Sequence, residues 1–259
     1  ARLRTPEDIY VWYSGIVWPG TIVEKSGVNA HLRAISKEAM LSLGFGVGGP
    51  TFAERVWAQL PTATETDIAR AFETYRSRFP AIMGAHYEAS IILSTATAMT
   101  DTVSARLMMC DIVRRGDTLL VVLPSGRTVY YRNLQTSEDD YCERSLWYSG
   151  HTPTSPPGGS VPSVERHIKE RRFDDGVVRY KLAPHTLVQN IVQATARDLI
   201  VHMQARLIDA DLAAIDFSVA FSVHDALVGE CAATDAAWAD TQAVLEQVMG
   251  EVPESIPAL

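Results

Sequence analysis

In the segment Phe217–Val223, a large apolar residue occupies every second position. Successive side chains of a β-strand point to opposite faces, so this period predicts a strand with one buried face. His224 and Asp225 follow at its end, and the apolar residues after them can return as the second arm of an antiparallel hairpin. A carboxylate held at such a turn suits a divalent metal, although an ordinary turn aspartate is the more frequent case.

Apolar residues at helical spacing predict helices through much of the remaining chain. Asn29 and Thr64 are suitable N-caps for two of them. Short β-rich runs at Thr118–Val122 and Thr128–Arg132 flank a Pro-Ser-Gly-Arg turn and predict a second hairpin. Helices combined with antiparallel hairpins indicate a mixed α/β protein in which the helices and the antiparallel sheet are segregated, that is, an α+β fold. The predicted helices span Asp8–Trp18, Asn29–Leu43, Thr64–Arg78, Ile82–Val103, Leu187–Ile208 and Thr234–Met249.

The composition is that of a globular chain, because 47% of the residues are apolar and 21% are charged. The longest purely aliphatic run, Leu119–Leu123, is far shorter than the ~20 residues that span a bilayer, and no signal peptide opens the chain. Cys110, Cys142 and Cys231 fit neither a metal site nor a disulfide framework, which predicts a reducing cytosol. The 23 basic and 31 acidic residues give a net charge of −8, so nucleic-acid binding would require basic residues gathered in a groove.

Four residues spaced four apart form a slanting stripe along the second predicted helix and its C-terminal end. They are two cations followed by two apolar residues, namely Arg33, Lys37, Leu41 and Phe45, with Gly46 next in the chain. The cations could grip the phosphates of a nucleoside triphosphate while the apolar pair faced its sugar and base. For an isolated pair of cations at this spacing, an amphipathic helix with solvated charges is the more frequent interpretation.

Amide side chains mark the helix predicted over Leu187–Ile208. Gln189 and Gln193 lie one turn apart, beside Asn190, and such amides can contact base edges or sugars; an ordinary polar helix surface is the equal alternative. Arg127 ends the Leu-Pro-Ser-Gly-Arg turn of the second hairpin and could reach a backbone phosphate. Each of these motifs is a weak indication of function by itself. Their order along the chain is more specific than any one of them.

Taken in that order, the motifs resemble the polymerase half of the family A DNA polymerases, above all the versions that phages carry. The likeness rests on an R-x3-K-x7-FG pattern, on LPSGR, on the VQNIVQATARDL helix and on a strand that ends in VHDALVGE. It implies fingers over residues 1–105, with the O helix at about 29–43, and part of a palm over residues 106–259. That palm would hold the LPSGR hairpin, the amide-bearing helix and the His224-Asp225 hairpin on an antiparallel sheet.

The resemblance also implies a role for each of these residues in template-directed DNA synthesis. The dNTP-binding residues would be Arg33, Lys37, Leu41 and Phe45, of which Lys37 would also be catalytic. Asp225 would be catalytic and bind metal, with Glu230 as a further candidate ligand, while His224 would act at the primer end. The DNA-binding residues would be Gly46, Arg127, Gln189, Asn190, Gln193 and His224. The reaction would use dNTPs, primer–template DNA and two Mg²⁺ ions.

Departures from the family pattern shape the expected partner. Ala226 stands where relatives usually carry Glu, and Leu41 where they commonly carry Phe or Tyr. The upstream D-Y-S-x-I-E motif, which supplies the second metal-binding aspartate, is missing from the chain. We therefore expect a split polymerase in the cytosol of a phage-infected bacterium. Its second polypeptide would carry that aspartate and the thumb, with or without a 3′–5′ exonuclease, and would share the Mg²⁺ ions.

Two alternatives stay open beside the split enzyme. In the first, the chain would be an inactive fragment of a single-chain polymerase. In the second, it would be a degenerate palm kept as a DNA-binding or structural subunit, and Ala226 and Leu41 favour this second alternative. Ala1 favours a natural start, because it permits removal of an initiator Met and is none of the residues that protein splicing leaves. A single-subunit RNA polymerase fits less well, because LPSGR and the Gln193 helix are typical of the DNA enzymes.

Overall fold

The computed structural model describes residues 8–98, 103–138, 144–149, 170–172, 174–176, 178–209, 217–223 and 226–250. Five helices come first, with a 3₁₀ turn at Leu43–Phe45 between the second and the third. They are α1 (Ile9–Val17), α2 (Ala30–Ser42), α3 (Gly49–Gln59), α4 (Glu65–Arg78) and α5 (Pro80–Ala98). The later helices are α6 (Pro184–Asp209) and α7 (Asp235–Gly250).

Helices α1–α4 pack around an aromatic and aliphatic core. Tyr13, Ile35 and Phe52 are fully buried in it, and the Tyr13 hydroxyl donates to the carbonyl oxygen of Ala71 at 2.8 Å. Burial of each large apolar side chain stabilises the folded state by roughly 1.5–3 kcal/mol relative to exposure. These side chains therefore fix the orientation of α2, whose opposite face is left to solvent.

A seven-stranded antiparallel sheet forms the second part of the molecule, in the strand order β1-β2-β3-β4-β5-β7-β6. Alternate residues such as Ile112, Leu119 and Tyr131 point to one face, where they share a core with Ala89 of α5 and Leu187 of α6. The strands are β1 (Val103–Leu107), β2 (Cys110–Arg115), β3 (Thr118–Val122), β4 (Thr128–Glu138), β5 (Arg144–Ser149), β6 (Glu170–Arg172) and β7 (Val178–Lys181).

The last two strands, β8 (Phe217–Val223) and β9 (Ala226–Cys231), pair only with each other among the residues described. They form an antiparallel hairpin that is followed directly by α7, which contacts α6 and β9. Val219 and Val228 are each 40% exposed and Trp238 of α7 is 61% exposed. The described residues therefore leave these three apolar side chains largely uncovered.

The α+β fold class is confirmed. Both predicted hairpins are present, since β3 pairs with β4 and β8 with β9. The helix predicted over Ile82–Val103 is wrong at its C-terminal end, because α5 ends at Ala98 and Val103 opens β1. Val103 and Leu107 are buried at the two ends of that strand, so their contacts with the sheet core prevail over continuation of the helix.

The N-terminal caps differ from the sequence expectation in one case. The Thr64 hydroxyl accepts from the backbone N–H of Asp67 at 3.1 Å, as expected for an N-cap. Asn29 also occupies the residue before a helix, but its side-chain amide donates to the carbonyl oxygen of Ile22 at 2.9 Å and does not cap α2.

The two hydrophobic cores divide within α5. Met83 packs against the core of α1–α4, whereas Ala85 belongs to the core of the sheet. Most of α5 thus packs with residues beyond 105, although the family resemblance assigns α5 to the fingers over residues 1–105. Within the described part of the chain, no helix is both long enough and apolar enough to cross a membrane.

Candidate nucleotide and DNA site

The predicted stripe on α2 lies on the helix face that the core leaves to solvent. Lys37 is exposed and Leu41 keeps 48% of its surface exposed, whereas Ile35 and Ala39 on the opposite face are fully buried. Among the residues that the structure describes, none engages the Lys37 ammonium in a hydrogen bond or ion pair. The charge of Lys37 is therefore available to a ligand.

Arg33, one turn before Lys37, is already paired with a carboxylate. Its Nε and Nη2 donate to Oδ2 of Asp8 at 2.9 and 2.6 Å, and its guanidinium lies 5.3 Å from the centroid of the Tyr10 ring. Asp8 also caps α1, since its Oδ1 accepts from the backbone N–H of Tyr10 at 2.9 Å. Arg33 is thus oriented by α1, and its Nη1 lies outside these bonds.

The ionisation of Asp8 follows from these contacts. Partial burial of the carboxyl raises the pKa of Asp8, but hydrogen bonds from Arg33 and from the backbone of Tyr10 and Val11 outweigh it. The net result is a pKa below the usual value, so the carboxylate stays charged at neutral pH. An incoming polyphosphate would compete with this carboxylate for Arg33.

The C-terminal end of α2 meets the beginning of α6. Gly46, just after Phe45, has a φ of +76°, in the left-handed region that favours glycine. A side chain at this position would place its Cβ 3.1 Å from Cβ of His185 and 3.1 Å from Cε1 of His86. Glycine is therefore required both by the backbone conformation and by the close approach of α5 and α6.

A cleft of about 310 Å³ opens at this junction. The glycine-rich segment after α2 forms one wall, and Arg76 and His86 contribute polar groups beside the aromatic ring of Phe72. The His86 Nε2 lies 3.1 Å from the carbonyl oxygen of Gly44, while its buried Nδ1 has no hydrogen-bond partner within the described structure. The cleft combines an apolar wall with a cation and imidazole nitrogens, a lining that suits a nucleotide base or sugar.

The LPSGR turn between β3 and β4 is fixed to α6. The Ser125 hydroxyl and the Arg127 Nε both donate to the carboxylate of Asp198, at 2.5 and 2.7 Å. The Nη2 of Arg127 donates to the carbonyl oxygen of Ala194 at 3.0 Å. The Arg127 side chain remains 46% exposed, so it can still face a phosphate while Asp198 orients it.

The three amides predicted on α6 have different surroundings. Gln193 is exposed and Gln189 is half-buried, so both are accessible to a ligand on the outer face of the helix. Asn190 instead donates through its Nδ2 to the hydroxyl of Tyr131 at 2.9 Å. Burial raises the pKa of Tyr131 to about 12, and the Asn190 hydrogen bond lowers it only in part. Asn190 therefore links α6 to the sheet.

The predicted metal site is only partly described. His224 and Asp225 lie outside the described residues, between β8 and β9. Glu230 is exposed on β9 opposite Ser218, four residues beyond Ala226 and so roughly 13 Å along the strand at ~3.3 Å per residue. That separation does not suit a shared ligand set with a group at the turn.

Within the described residues, no group of three or more His, Cys, Asp or Glu side chains could hold a metal ion. The described part of the chain therefore does not fit a two-ion centre by itself. Carboxylates from elsewhere would be required to complete one.

Two carboxylates contribute contacts that the sequence patterns did not assign. Asp8 lies 25 residues from Arg33, and Asp198 lies 71 residues from Arg127, so neither pairing appears in local spacing. Asp8 does carry a local signal, because an aspartate just before a helix is a common N-cap. Asp198 carries no such signal, because it is one of several polar residues along a long helix.

No protein-family model matches this chain, and no curated protein matches it by sequence. The resemblance to family A polymerases therefore rests on the order and spacing of its motifs. In the structure these motifs meet at two places: the end of α2 lies against the start of α6, and the LPSGR turn lies against the middle of α6.

Proposed function

We propose that this chain carries out template-directed DNA synthesis as the C-terminal subunit of a split family A DNA polymerase. It would transfer nucleotides from dNTPs to a primer 3′ end. One observation carries the proposal: the predicted triphosphate helix and the predicted DNA-contacting helix meet at Gly46 and His185, beside an open cleft. This contact supports the proposal because it joins two elements about 140 residues apart in sequence, which together could hold a nucleotide and a template.

The stripe on α2 would bind the triphosphate. Lys37 offers the phosphates an ammonium that no described residue engages, and Arg33 offers Nη1 while Asp8 binds its Nε and Nη2. Leu41 would pack against the deoxyribose, and Phe45 would occupy the templating position. Phosphates are bound well by such paired cations because charge-assisted hydrogen bonds are roughly twice as strong as neutral ones.

The remaining predicted DNA contacts would follow α6. Gln193 and Gln189 would face the nascent base pair, and Arg127 would approach the DNA backbone with Asp198 behind it. In the cytosol of an infected bacterium, this arrangement would act on a primer–template whose duplex is held mainly by the thumb of the partner. The net charge of −8 is compatible with such a division, because the chief duplex-binding surface would lie on the other polypeptide.

A second polypeptide is part of the proposal. A two-stranded hairpin is marginal without further packing, and β8–β9, although α7 contacts β9, leaves Val219 and Val228 exposed. A partner that adds strands here would cover these side chains and could bring the missing carboxylate towards Asp225. Mg²⁺, when bound between the two chains, would supply the charge that stabilises phosphoryl transfer.

Binding of dNTP to the complex tests the α2 site. We expect Lys37→Ala to weaken dNTP binding by about tenfold or more, because a charge-assisted contact to phosphate is worth ~1.5–3 kcal/mol. Lys25→Ala is the matched control, since Lys25 is an exposed lysine in the loop before α2 and should leave binding unchanged. Equal affinity in all three proteins would contradict the proposed site.

The degenerate-subunit alternative is favoured by Ala226 and Leu41, which depart from the family pattern. It predicts that the complex binds primer–template DNA but does not extend the primer. Primer extension by the complex, measured beside DNA binding, separates the two functions. Extension supports the polymerase, and binding without extension supports the structural subunit.

A further inference from the structure

We propose that the face of strands β1–β4 that points away from α5 and α6, here called the open face because Arg106, Arg115 and Tyr130 on it are exposed among the described residues, binds single-stranded DNA independently of the α2 site. The opposite face of these strands is covered by α5 and α6. The open face carries the alternate residues of each strand, and its edges and centre are exposed at Arg106, Arg115 and Tyr130. Nothing in the polymerase proposal uses these residues.

The strand register places an apolar row across this face. Ser104 pairs with Val113, Val113 with Leu120, and Leu120 with Tyr130. Val113 and Leu120 are half-buried, while Tyr130 keeps 50% of its surface exposed. Four strands at ~4.8 Å spacing make this row about 15 Å long, which is enough to lie under two or more stacked bases.

Three arginines surround the apolar row. Arg106 on β1, Arg115 on β2 and Arg132 on β4 are all exposed, whereas the strand positions on this face hold one acid, Asp111, opposite Arg106. The chain as a whole has a net charge of −8, so this face has the opposite sign. A polyanion is the complementary ligand.

Tyr130 and Arg132 form the stacking element of this surface. The Arg132 guanidinium lies 5.1 Å from the centroid of the Tyr130 ring, so it holds one side of the ring by a cation–π contact. Sequence-tolerant single-strand binders hold bases by stacking them on aromatic rings beside cationic side chains, and Tyr130 with Arg132 offers both.

Among polyanions, single-stranded DNA fits this face best. Duplex DNA keeps its bases stacked internally and cannot use Tyr130 for stacking. RNA would place 2′-hydroxyls against Val113, Leu120 and Val122, which offer no hydrogen bonds. An acidic peptide would satisfy the arginines but would leave the Tyr130 ring exposed.

The test is fluorescence anisotropy of a labelled oligo(dT) with the complete chain. We expect Tyr130→Ala to weaken binding by about tenfold, and Tyr87→Ala, an exposed tyrosine on α5, to have no effect. The double variant Arg115→Gln/Arg132→Gln should lower the slope of log K against log salt by about 0.7 for each charge removed. Arg115→Lys/Arg132→Lys should retain most of that slope, which shows that the first variant lost charge and not its fold.

Other outcomes would overturn the proposal. They are wild-type affinity in Tyr130→Ala, equal or tighter binding of oligo(U) or duplex DNA, and binding of polyglutamate but not of oligo(dT). Lys37→Ala should bind oligo(dT) normally, and Tyr130→Ala should bind dNTP normally. If either variant lost both oligo(dT) binding and dNTP binding, the α2 stripe and the open face would be one site. That result would contradict this proposal but not the polymerase function.

Discussion

Two β-hairpins of this protein have similar sequence signals and very different surroundings. The β3–β4 hairpin has strand neighbours on both sides in a seven-stranded sheet, with a helix-covered core beneath it. Its turn is held by Asp198 of α6 through Ser125 and Arg127. The β8–β9 hairpin has no further strand in the described structure, and its Val219 and Val228 are exposed.

The difference shows which hairpin the described residues support on both edges. The β3–β4 hairpin has its backbone edges paired and its turn oriented, so it can present Arg127 in one position without help. Within the described residues neither outer edge of the β8–β9 hairpin pairs with another strand, and such edges in proteins are usually paired or covered. The turn predicted to be catalytic thus belongs to the hairpin with fewer described contacts, and under the proposed function the partner would hold that turn in place.

The largest expected effect concerns the turn of the β8–β9 hairpin. Asp225→Asn preserves size but removes the charge that would hold a metal ion, so primer extension by the complex should fall by several orders of magnitude. DNA affinity, measured in parallel, should change little. Asp235→Asn, at the exposed start of α7, is the control. Retention of more than about a tenth of the activity would show that Asp225 is an ordinary turn residue.

A second effect concerns the exposed valines of the same hairpin. Val219→Asp and Val228→Asp place a charge on a surface that the partner would desolvate, so the complex should dissociate about tenfold more readily or worse. Sedimentation of the two chains together measures this. Val28→Asp, at a loop valine that is 94% exposed, should have no effect. Undiminished assembly of both hairpin variants would place the partner elsewhere.

Alkaline pH should destabilise the region of the β3–β4 hairpin more than the region of the β8–β9 hairpin. Burial raises the pKa of Tyr131, in the sheet core, to about 12 and raises that of Tyr13 in the helical core. A phenol whose pKa is raised on folding holds its proton more tightly in the folded state. The stabilisation from each phenol is therefore fully present below pH ~10, the pKa of the phenol in the unfolded chain. Between that pH and the pKa in the folded state, the free energy of unfolding falls by up to about 1.4 kcal/mol per pH unit for each phenol.

The β8–β9 region lacks such a group, because no tyrosine follows Tyr180 in the sequence. Amide hydrogen exchange should therefore be measured between pH 9 and 11 and corrected for the pH dependence of the intrinsic exchange rates. We expect protection to fall more in β4 and α1 than in β8–β9. Tyr131→Phe should reduce the pH dependence in β4. Equal pH dependence in β4 and in β8–β9 would contradict this assignment.

The sequence was informative wherever a local period or cap determines structure. The helix at Glu65–Arg78 follows from its Thr64 cap and from buried Ile68, Ala71 and Tyr75 at helical spacing, and β8 follows from its alternation. The helix α3 was missed because it begins within a glycine- and proline-rich segment, at Gly49. The start of β1 is missed because the predicted helix extends through Val103, and no element is predicted at β2.

The long-range pairs were beyond any local signal. The family resemblance predicts Arg33 and Arg127 as phosphate ligands, but no local pattern shows that Asp8 and Asp198 already bind them. Nor could it separate Asn190, which bonds Tyr131, from the exposed Gln193. Such contacts depend on how elements pack in three dimensions, and that packing is decided by burial across the whole chain.

The smallest expected effect concerns the Asp198 contacts of the β3–β4 turn. Asp198→Ala removes both side-chain acceptors, but Arg127 is 46% exposed, so water screens the pair and the loss of unfolding free energy should be only about 1 kcal/mol. Denaturant unfolding measures it. Asp198→Asn keeps one acceptor and should lose less, and Arg197→Ala, an exposed neighbour on α6, should stay within about 0.5 kcal/mol of the wild type.

The size of that loss decides how the β3–β4 turn is held. Backbone bonds from Leu123 N–H to the Arg127 carbonyl oxygen at 2.8 Å and from Gly126 N–H to the Leu123 carbonyl oxygen at 2.9 Å already close it. If Asp198→Ala costs nothing, these bonds suffice, and Asp198 serves only to aim Arg127. A loss above about 3 kcal/mol, typical of breaking a buried pair, would mean that the turn depends on α6. The β3–β4 hairpin would then need outside support as β8–β9 does, and the contrast between the two would fail.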